Sequence, residues 1–371
     1  MKKIALAAAA MAAVAALAFT GCSGARTDTA STDAAAAGFA ADATIGVALP
    51  DKTSENWVLA GDLFTSGLTD AGFKPDVQYA PATNTVAEQQ NQISAMVTNG
   101  AKVIVIGAKD GKQLGTQLQQ AADAGVKIIA YDRLIENTPN VDFYVAFDNF
   151  KVGELQGQAL LDGLEARSGH GAPWNIELFS GSPDDANAAV FFDGAMKVLQ
   201  PKIDDGTLVV VSGQTEVAQT ATQGWKAENA QSRMDSLMVA NYASTPIDGV
   251  LSPNDTLARA IITSVKQAGT DITKFTVTGQ DSEAESVKSI MAGEQYSTIN
   301  KDTTLLVAQT IDMIISLQKG EEPEVNDTEQ YDNGVKVVPA FLLPPVIVTR
   351  ENAAEAYANS PKLLEIVNAA Q

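Results

Sequence analysis

The chain has 371 residues, 25 Lys+Arg against 45 Asp+Glu, a formal net charge of −20, one histidine (His170) and one cysteine (Cys22). The negative field opposes binding to nucleic acid or anionic lipid, and one histidine cannot build a zinc site or His-based catalysis. Once the N-terminal segment is set aside, about 330 residues remain to fold, more than one typical core holds, which predicts two domains.

Lys2 and Lys3 precede an apolar run over 4–19, about 16 residues, too short and too alanine-rich for a comfortable membrane span. The run ends at Phe19-Thr20-Gly21-Cys22, small residues before a cysteine. This predicts a lipoprotein signal peptide over 1–21, cleavage before Cys22 and diacylation of the Cys22 sulfur. Phe19 departs from the aliphatic residue usual three positions before such a cysteine. A lone thiol has no disulfide partner, so lipidation also accounts for its presence in an exported chain. Residues 22–42 carry almost no large apolar groups, too few to offset the entropy of ordering, and read as a flexible tether. Such a chain is anchored to a membrane and does not span it.

Beyond the tether, short β-rich apolar runs alternate with helical patterns. Strands are expected at 44–49, 76–79, 103–106, 127–130 and 143–146, with helices at 57–71, 85–99 and 111–124. In the second helix Ile93, Met96 and Val97 recur at three- and four-residue spacing. Gly72, Gly100 and Gly125 follow the three helices, where a left-handed backbone is favoured. The period resumes with strands at 175–179, 208–211, 249–251 and 276–278. Strands separated by crossover helices predict parallel sheets covered on both faces. Two such sets predict two similar α/β domains, duplicated in architecture without a visible sequence repeat.

The polar chemistry collects at the carboxyl ends of these strands, where open α/β sheets bind ligands. Lys109-Asp110, Tyr131-Asp132-Arg133, Asp148-Asn149, Asn254-Asp255, Gln280-Asp281 and Asn300-Lys301 all stand there. Their paired donors and acceptors suit hydroxyl groups, although Asp and Asn are also common turn formers. Trp57 follows the first strand and Trp225 lies in the second half; either can serve as an aromatic wall or as core, whereas Trp174 is read as core. Phosphate-binding loops, dinucleotide fingerprints and nucleophile elbows are missing. Asp184-Asp185 in a Gly-Ser-Pro loop reads as a cap or acceptor pair, and 321–324 as a solvated loop. The sequence calls for no enzyme and no cofactor.

At this level the chain resembles the type 1 periplasmic sugar-binding proteins of ABC importers, nearest the multiple-sugar-binding (aldose) receptors and the xylose-binding proteins. The resemblance spans about 44–350. It is carried by Ile128-Ile129-Ala130-Tyr131-Asp132-Arg133, Phe147-Asp148-Asn149 with Val152-Gly153-Glu154, and Gly181-Ser182-Pro183-Asp184-Asp185 with Asp193-Gly194-Ala195-Met196. Ser252-Pro253-Asn254-Asp255, Gly279-Gln280-Asp281 and Ala292-Gly293-Glu294-Gln295-Tyr296 extend it.

The resemblance implies a periplasmic-binding-protein-like type I fold, with two doubly wound parallel-sheet domains joined by a three-strand hinge. Crossings are implied near Phe150, Lys301 and Gln330, giving one lobe from 43–150 with 301–330 and another from 151–300 with 331–371. It implies ligand contacts at Lys52, Trp57, Asp132, Arg133, Asp185, Asn187, Phe191 (or Phe192), Trp225, Asn254, Asp281 and Lys301. Relatives often carry Arg where Asn56 stands and Asn-Asn at Ala186-Asn187, so the pocket departs from the pattern at two points. The implied role is an extracytoplasmic solute-binding lipoprotein that delivers an aldose such as xylose, glucose, galactose or arabinose to an ABC permease and its ATPase. The alternative is a receptor presenting bound sugar to a membrane signalling kinase. A monomer is implied, anchored through lipid alone.

Overall fold

The computed structural model describes residues 38–82 and 86–370, so the expected signal peptide, Cys22 and most of the expected tether lie outside the described residues. In chain order β1 (Thr44–Leu49), α1 (Glu55–Asp70), β2 (Lys74–Tyr79), α2 (Val86–Thr98), β3 (Val103–Ile106), α3 (Gly115–Asp123), β4 (Lys127–Tyr131) and β5 (Phe143–Phe147) come first. Then follow α4 (Asn149–Arg167), β6 (Trp174–Leu178), α5 (Ala186–Asp204), β7 (Leu208–Val210), α6 (Val217–Thr220), α7 (Ala227–Asn241), β8 (Gly249–Leu251), α8 (Asp255–Gln267), β9 (Thr276–Val277), α9 (Ala284–Met291) and β10 (Ser297–Asn300). The chain closes with α10 (Thr303–Lys319), β11 (Ala340–Leu343), β12 (Val346–Thr349), α11 (Ala353–Ala356) and α12 (Pro361–Ala369).

The first sheet has the order β11-β5-β4-β3-β1-β2 and the second β7-β6-β8-β9, and every pairing within them is parallel. Strands buried on both faces read as continuous apolar runs, as Val103–Ile106 does. In the first lobe one face packs Ile104, Ile106 and Ile128 against α2 and α3, and the other packs Val47, Val105 and Ile129 against α1 and α10. In the second lobe α4 and α5 cross so closely that a Cβ at Gly153 would lie 2.0 Å from the Phe191 carbonyl and one at Gly194 2.2 Å from that of Phe150. The Val-Gly-Glu and Asp-Gly-Ala signatures are therefore packing requirements, and this crossing sets where Phe191 points.

The chain leaves the first sheet after β5, at Asp148, the N-cap of α4, and returns after β10 through Lys301 into α10. Both crossings stand near their expected positions. The third does not. β11 pairs in parallel with β5 from Ala340↔Tyr144 to Leu343↔Phe147, so residues up to Leu343 belong to the first lobe and the crossing falls at Pro344-Pro345, not near Gln330. Tyr331 and Val338 likewise sit in the first-lobe core. Proline cannot donate to a ladder, which ends β11 there. β12 then pairs antiparallel with β10. The tether also ends sooner than expected. Phe39 packs against Phe73, with ring centroids 6.3 Å apart and planes inclined by 45°, and donates its N–H to the Gln318 carbonyl at 3.1 Å, so Phe39 already belongs to the folded body.

Candidate functional site

In each parallel sheet the strand order reverses once, between β1 and β3 in the first and between β6 and β8 in the second. The loops at those carboxyl ends face each other across a cavity of about 490 Å³, as expected for ligand sites of open α/β sheets. That volume lies within the range of small-molecule pockets, roughly 300–1,000 Å³.

From the first lobe, Asp132 follows β4 with φ 62°. Its N–H donates to the Val145 carbonyl at 2.8 Å, and the Arg133 N–H closes a three-residue turn onto the Tyr131 carbonyl at 2.7 Å. This is the rarer, positive-φ form of the γ-turn, a strained geometry. It sends consecutive side chains to different duties. Asp132 enters the cavity, and Arg133 spans the cleft to Asp185, Nε to Oδ2 at 3.0 Å, while its guanidinium lies 5.4 Å from the Trp57 ring centre. Trp57, in the first turn of α1, packs edge-on against Tyr131 at 6.1 Å.

From the second lobe, Asp185 is the N-cap of α5 and accepts from the Asn187 N–H at 2.9 Å. Its other oxygen accepts from Trp225 Nε1 at 3.2 Å. Trp225 has φ 55° and follows Gly224 at φ 69°. Its ring lies against Gly181, where a Cβ would come within 2.2 Å of the six-membered ring. Asn254 caps α8 by accepting from the Leu257 N–H at 3.0 Å and also lines the cavity. Asp281, with φ 97°, meets Lys301 at 2.9 Å, and the Lys301 ammonium sits 5.5 Å from the Phe191 ring centre.

Three ion pairs offset most of the charge inside the site, and Asp132 stands outside them. Burial pushes the Asp132 carboxyl above its ordinary value; Lys301 opposes that rise and Asp185 adds to it. Burial works against the charge of Lys301, but Asp281 and Asp132 outweigh it and raise its pKa. In a third pair, Lys109 donates to Asp51. Burial there favours the neutral acid, yet hydrogen bonds from Lys109 and Thr53 hold the Asp51 carboxyl below its usual range. Buried charges persist when paired and hydrogen-bonded in this way. Gln280, a residue of the cavity wall, buries its Oε1 without a partner among the described residues. Two indoles with a ring of charged and amide groups between them fit a small neutral ligand that is apolar on its faces and hydroxylated on its edges.

Ten of the eleven residues implied by the resemblance line this one cavity: Trp57, Asp132, Arg133, Asp185, Asn187, Phe191, Trp225, Asn254, Asp281 and Lys301. Lys52 does not. It is exposed and lies over the Tyr79 ring at 4.6 Å, while its neighbour Asp51 turns inward. Between the two adjacent phenylalanines the structure separates the roles, with Phe191 at the cavity and Phe192 in the core beside Leu160 and Leu199. Trp174 is core, as expected, and donates its Nε1 to Ser168 Oγ at 3.0 Å. Sequence reasoning did not select the Asp51–Lys109 pair. Lys109 stood in plain view at a strand end, but its partner sits at another strand end 58 positions away.

The sequence profile of the periplasmic binding protein domain matches residues 45–322. The chain is 52% identical over 318 residues to the multiple sugar-binding periplasmic receptor ChvE of Rhizobium radiobacter, covering 85% of this chain and 89% of that protein. It is 36% identical to the D-xylose-binding periplasmic protein of Escherichia coli K12, over 85% of this chain and 89% of that one. Among solved structures, an ABC transporter solute binding protein from Clostridium phytofermentans with bound β-D-glucose superposes with a TM-score of 0.81 at 40% identity, covering 86% of this chain and 99% of that one.

Proposed function

The chain belongs to the periplasmic binding protein family, it is a binding protein and not an enzyme, and from that premise we propose that it is the lipid-anchored receptor of a monosaccharide ABC importer. The observation that carries this reading is the cavity between the lobes, with an indole from each and strand-end Asp, Arg, Asn and Lys side chains between them. The ligand is an aldose of the glucose or xylose type. The glucose and xylose relatives, 40% and 36% identical over most of their lengths, support that class. Sugar binds with the lobes apart and is then shared by both, so closure is favoured because only the closed form makes both sets of contacts. The closed, loaded receptor is the form handed to the permease. Cys22 carries the acyl chains, the segment that follows it links them to the folded body, and the receptor works as a monomer.

A thermal-shift screen over D-glucose, D-xylose, D-galactose and L-arabinose, followed by calorimetry, tests the reading. A ligand that binds only the folded state at a thousandfold excess over Kd stabilises it by about 4 kcal/mol. At least one of these sugars is therefore expected to raise the melting temperature by several degrees. Absence of a shift with all four overturns the assignment. Incorporation of labelled palmitate that is lost in Cys22→Ser tests the anchor separately.

A further inference from the structure

Two hydrogen bonds that cross the cleft share one plan. Asn56 is the second residue of α1, and its N–H is held by the N-cap Ser54 Oγ at 3.3 Å. Its Nδ2 donates to the backbone carbonyl of Asp281 in the other lobe at 3.1 Å. Asn187 is the second residue of α5, and its N–H is held by the N-cap Asp185 Oδ1 at 2.9 Å. Its Nδ2 donates to the backbone carbonyl of Asp132 in the other lobe at 2.8 Å.

The acceptors match as well. Asp132 follows β4 at φ 62°, with its N–H on the Val145 carbonyl of β5. Asp281 follows β9 at φ 97°, with its N–H on the Ile299 carbonyl of β10 at 2.9 Å. In both places a left-handed aspartate puts its carboxylate in the cavity and its carbonyl against the opposite lobe's asparagine. Left-handed backbone is strained at a residue other than glycine, and a shared geometric task explains why both positions carry it. The duplicated architecture, invisible as a sequence repeat, reappears here as a two-fold arrangement of donors and acceptors.

We propose that Asn56 and Asn187 form a reciprocal clasp that holds the lobes closed, and that Asn56 acts as a positioning residue for ligand retention. Both bonds exist only when the lobes are shut, so they favour the closed state alone and slow ligand escape. A ligand that grips the Asp132 and Asp281 carboxylates also fixes the two carbonyls, which couples recognition to closure. Asn56 makes no other side-chain hydrogen bond among the described residues, but it also lines the cavity, so lobe separation in the sugar-free protein isolates its interlobe bond from any contact with ligand. Asn187 also meets the Tyr144 hydroxyl at 3.2 Å and is less clean.

The clasp rests on the sugar-receptor reading for its ligand but not for its geometry, and the test keeps them apart. Asn56→Ala and the unaltered protein are compared by stopped-flow tryptophan fluorescence with D-glucose and D-xylose as probes. Lobe separation is measured with one spin label on each lobe, with and without sugar. One lost interlobe hydrogen bond is expected to raise koff about fivefold, leaving kon within about twofold and the melting temperature of sugar-free protein unchanged. Asn187→Ala is expected to raise koff at least as much. A koff unchanged in Asn56→Ala overturns the clasp while leaving the receptor reading standing. Should neither sugar bind the unaltered protein, the distance distributions of the sugar-free proteins decide: wider separation in Asn56→Ala supports the clasp, and identical distributions overturn it.

Discussion

Trp57 and Trp225 face one cavity from opposite lobes, but they are held by different physics. Trp57 sits in a regular helix, and its ring edge rests on Gly107 and Tyr131, which packs in turn on Phe64. Trp225 sits in a loop at φ 55°, fixed by Gly181 behind the ring and by one hydrogen bond to Asp185. The first wall is a surface of the core. The second is a strained loop whose geometry persists only while its neighbours over-determine it. The second lobe should therefore govern ligand selection and respond most sharply to substitution.

The largest contrast is expected between the two ion pairs formed within a lobe or its hinge. Asp281→Ala strips Lys301 of its direct partner in a site where its side chain is only 11% exposed. Removing one member of a buried pair costs roughly 3–5 kcal/mol, so monosaccharide affinity should fall at least a hundredfold and the melting temperature should drop. Asp51→Ala leaves Lys109 at the cavity's corner, where its side chain is 19% exposed, and should cost about tenfold or less. Calorimetry on both variants measures the gap. Equal losses would erase the asymmetry between the lobes.

Glycine-to-alanine substitution behind each indole sharpens the comparison. A Cβ at Gly181 would sit 2.2 Å from Trp225 ring carbons, and one at Gly107 would sit 2.9 Å from Trp57. The loop can yield and the helix cannot. Gly181→Ala should push Trp225 into the cavity, lowering affinity about tenfold with little change in melting temperature. Gly107→Ala should instead lower stability by about 1–3 kcal/mol, the usual cost of overpacking, with a smaller effect on affinity. Urea denaturation and calorimetry together separate the two. Matching profiles would mean that both walls are set by the same kind of packing.

Alternation of apolar runs and helical periods made both parallel sheets legible, and strand-end polarity located most of the cavity. Four things were not legible, each for a local reason. Asp51 and Lys52 are neighbours in a turn, and which of them faces inward depends on backbone angles that composition does not encode. Phe191 and Phe192 differ by about 100° around α5, and choosing between them requires the close crossing of α4 and α5. The strand Ala340–Leu343 is four residues long, too short for an alternation signal, so its first-lobe membership was missed; Pro344-Pro345 was the available hint. The left-handed aspartates have no sequence signal at all, because Asp is ordinary at a strand end.

The smallest expected effect separates the lobes at the ends of their sheets far from the cavity. Asp142 precedes β5, accepts from the Ile128 N–H at 2.8 Å and pairs with Lys127 at 2.7 Å. Asp248 precedes β8, accepts from the Asn175 N–H at 2.7 Å and pairs with His170 at 2.9 Å. The two clamps match except for the cation, and only His170 titrates near neutrality. Its pKa is raised by the hydrogen bond to the Gly171 carbonyl and by Asp248, with burial opposing. Because the folded value lies above the unfolded one, near 6.5, this stabilisation is fully present below that pH. It is lost as pH rises through the folded value. The imidazole is 46% exposed, so solvent screens the pair and the effect is modest. His170→Asn should lower the melting temperature by on the order of 1 °C at about pH 5.5, and the gap should close by about pH 8.5. Lys127→Gln should give a gap that stays constant across the same range. A pH-independent gap for His170→Asn would show that both clamps work through hydrogen bonding alone, and that the lobes differ only at the cavity.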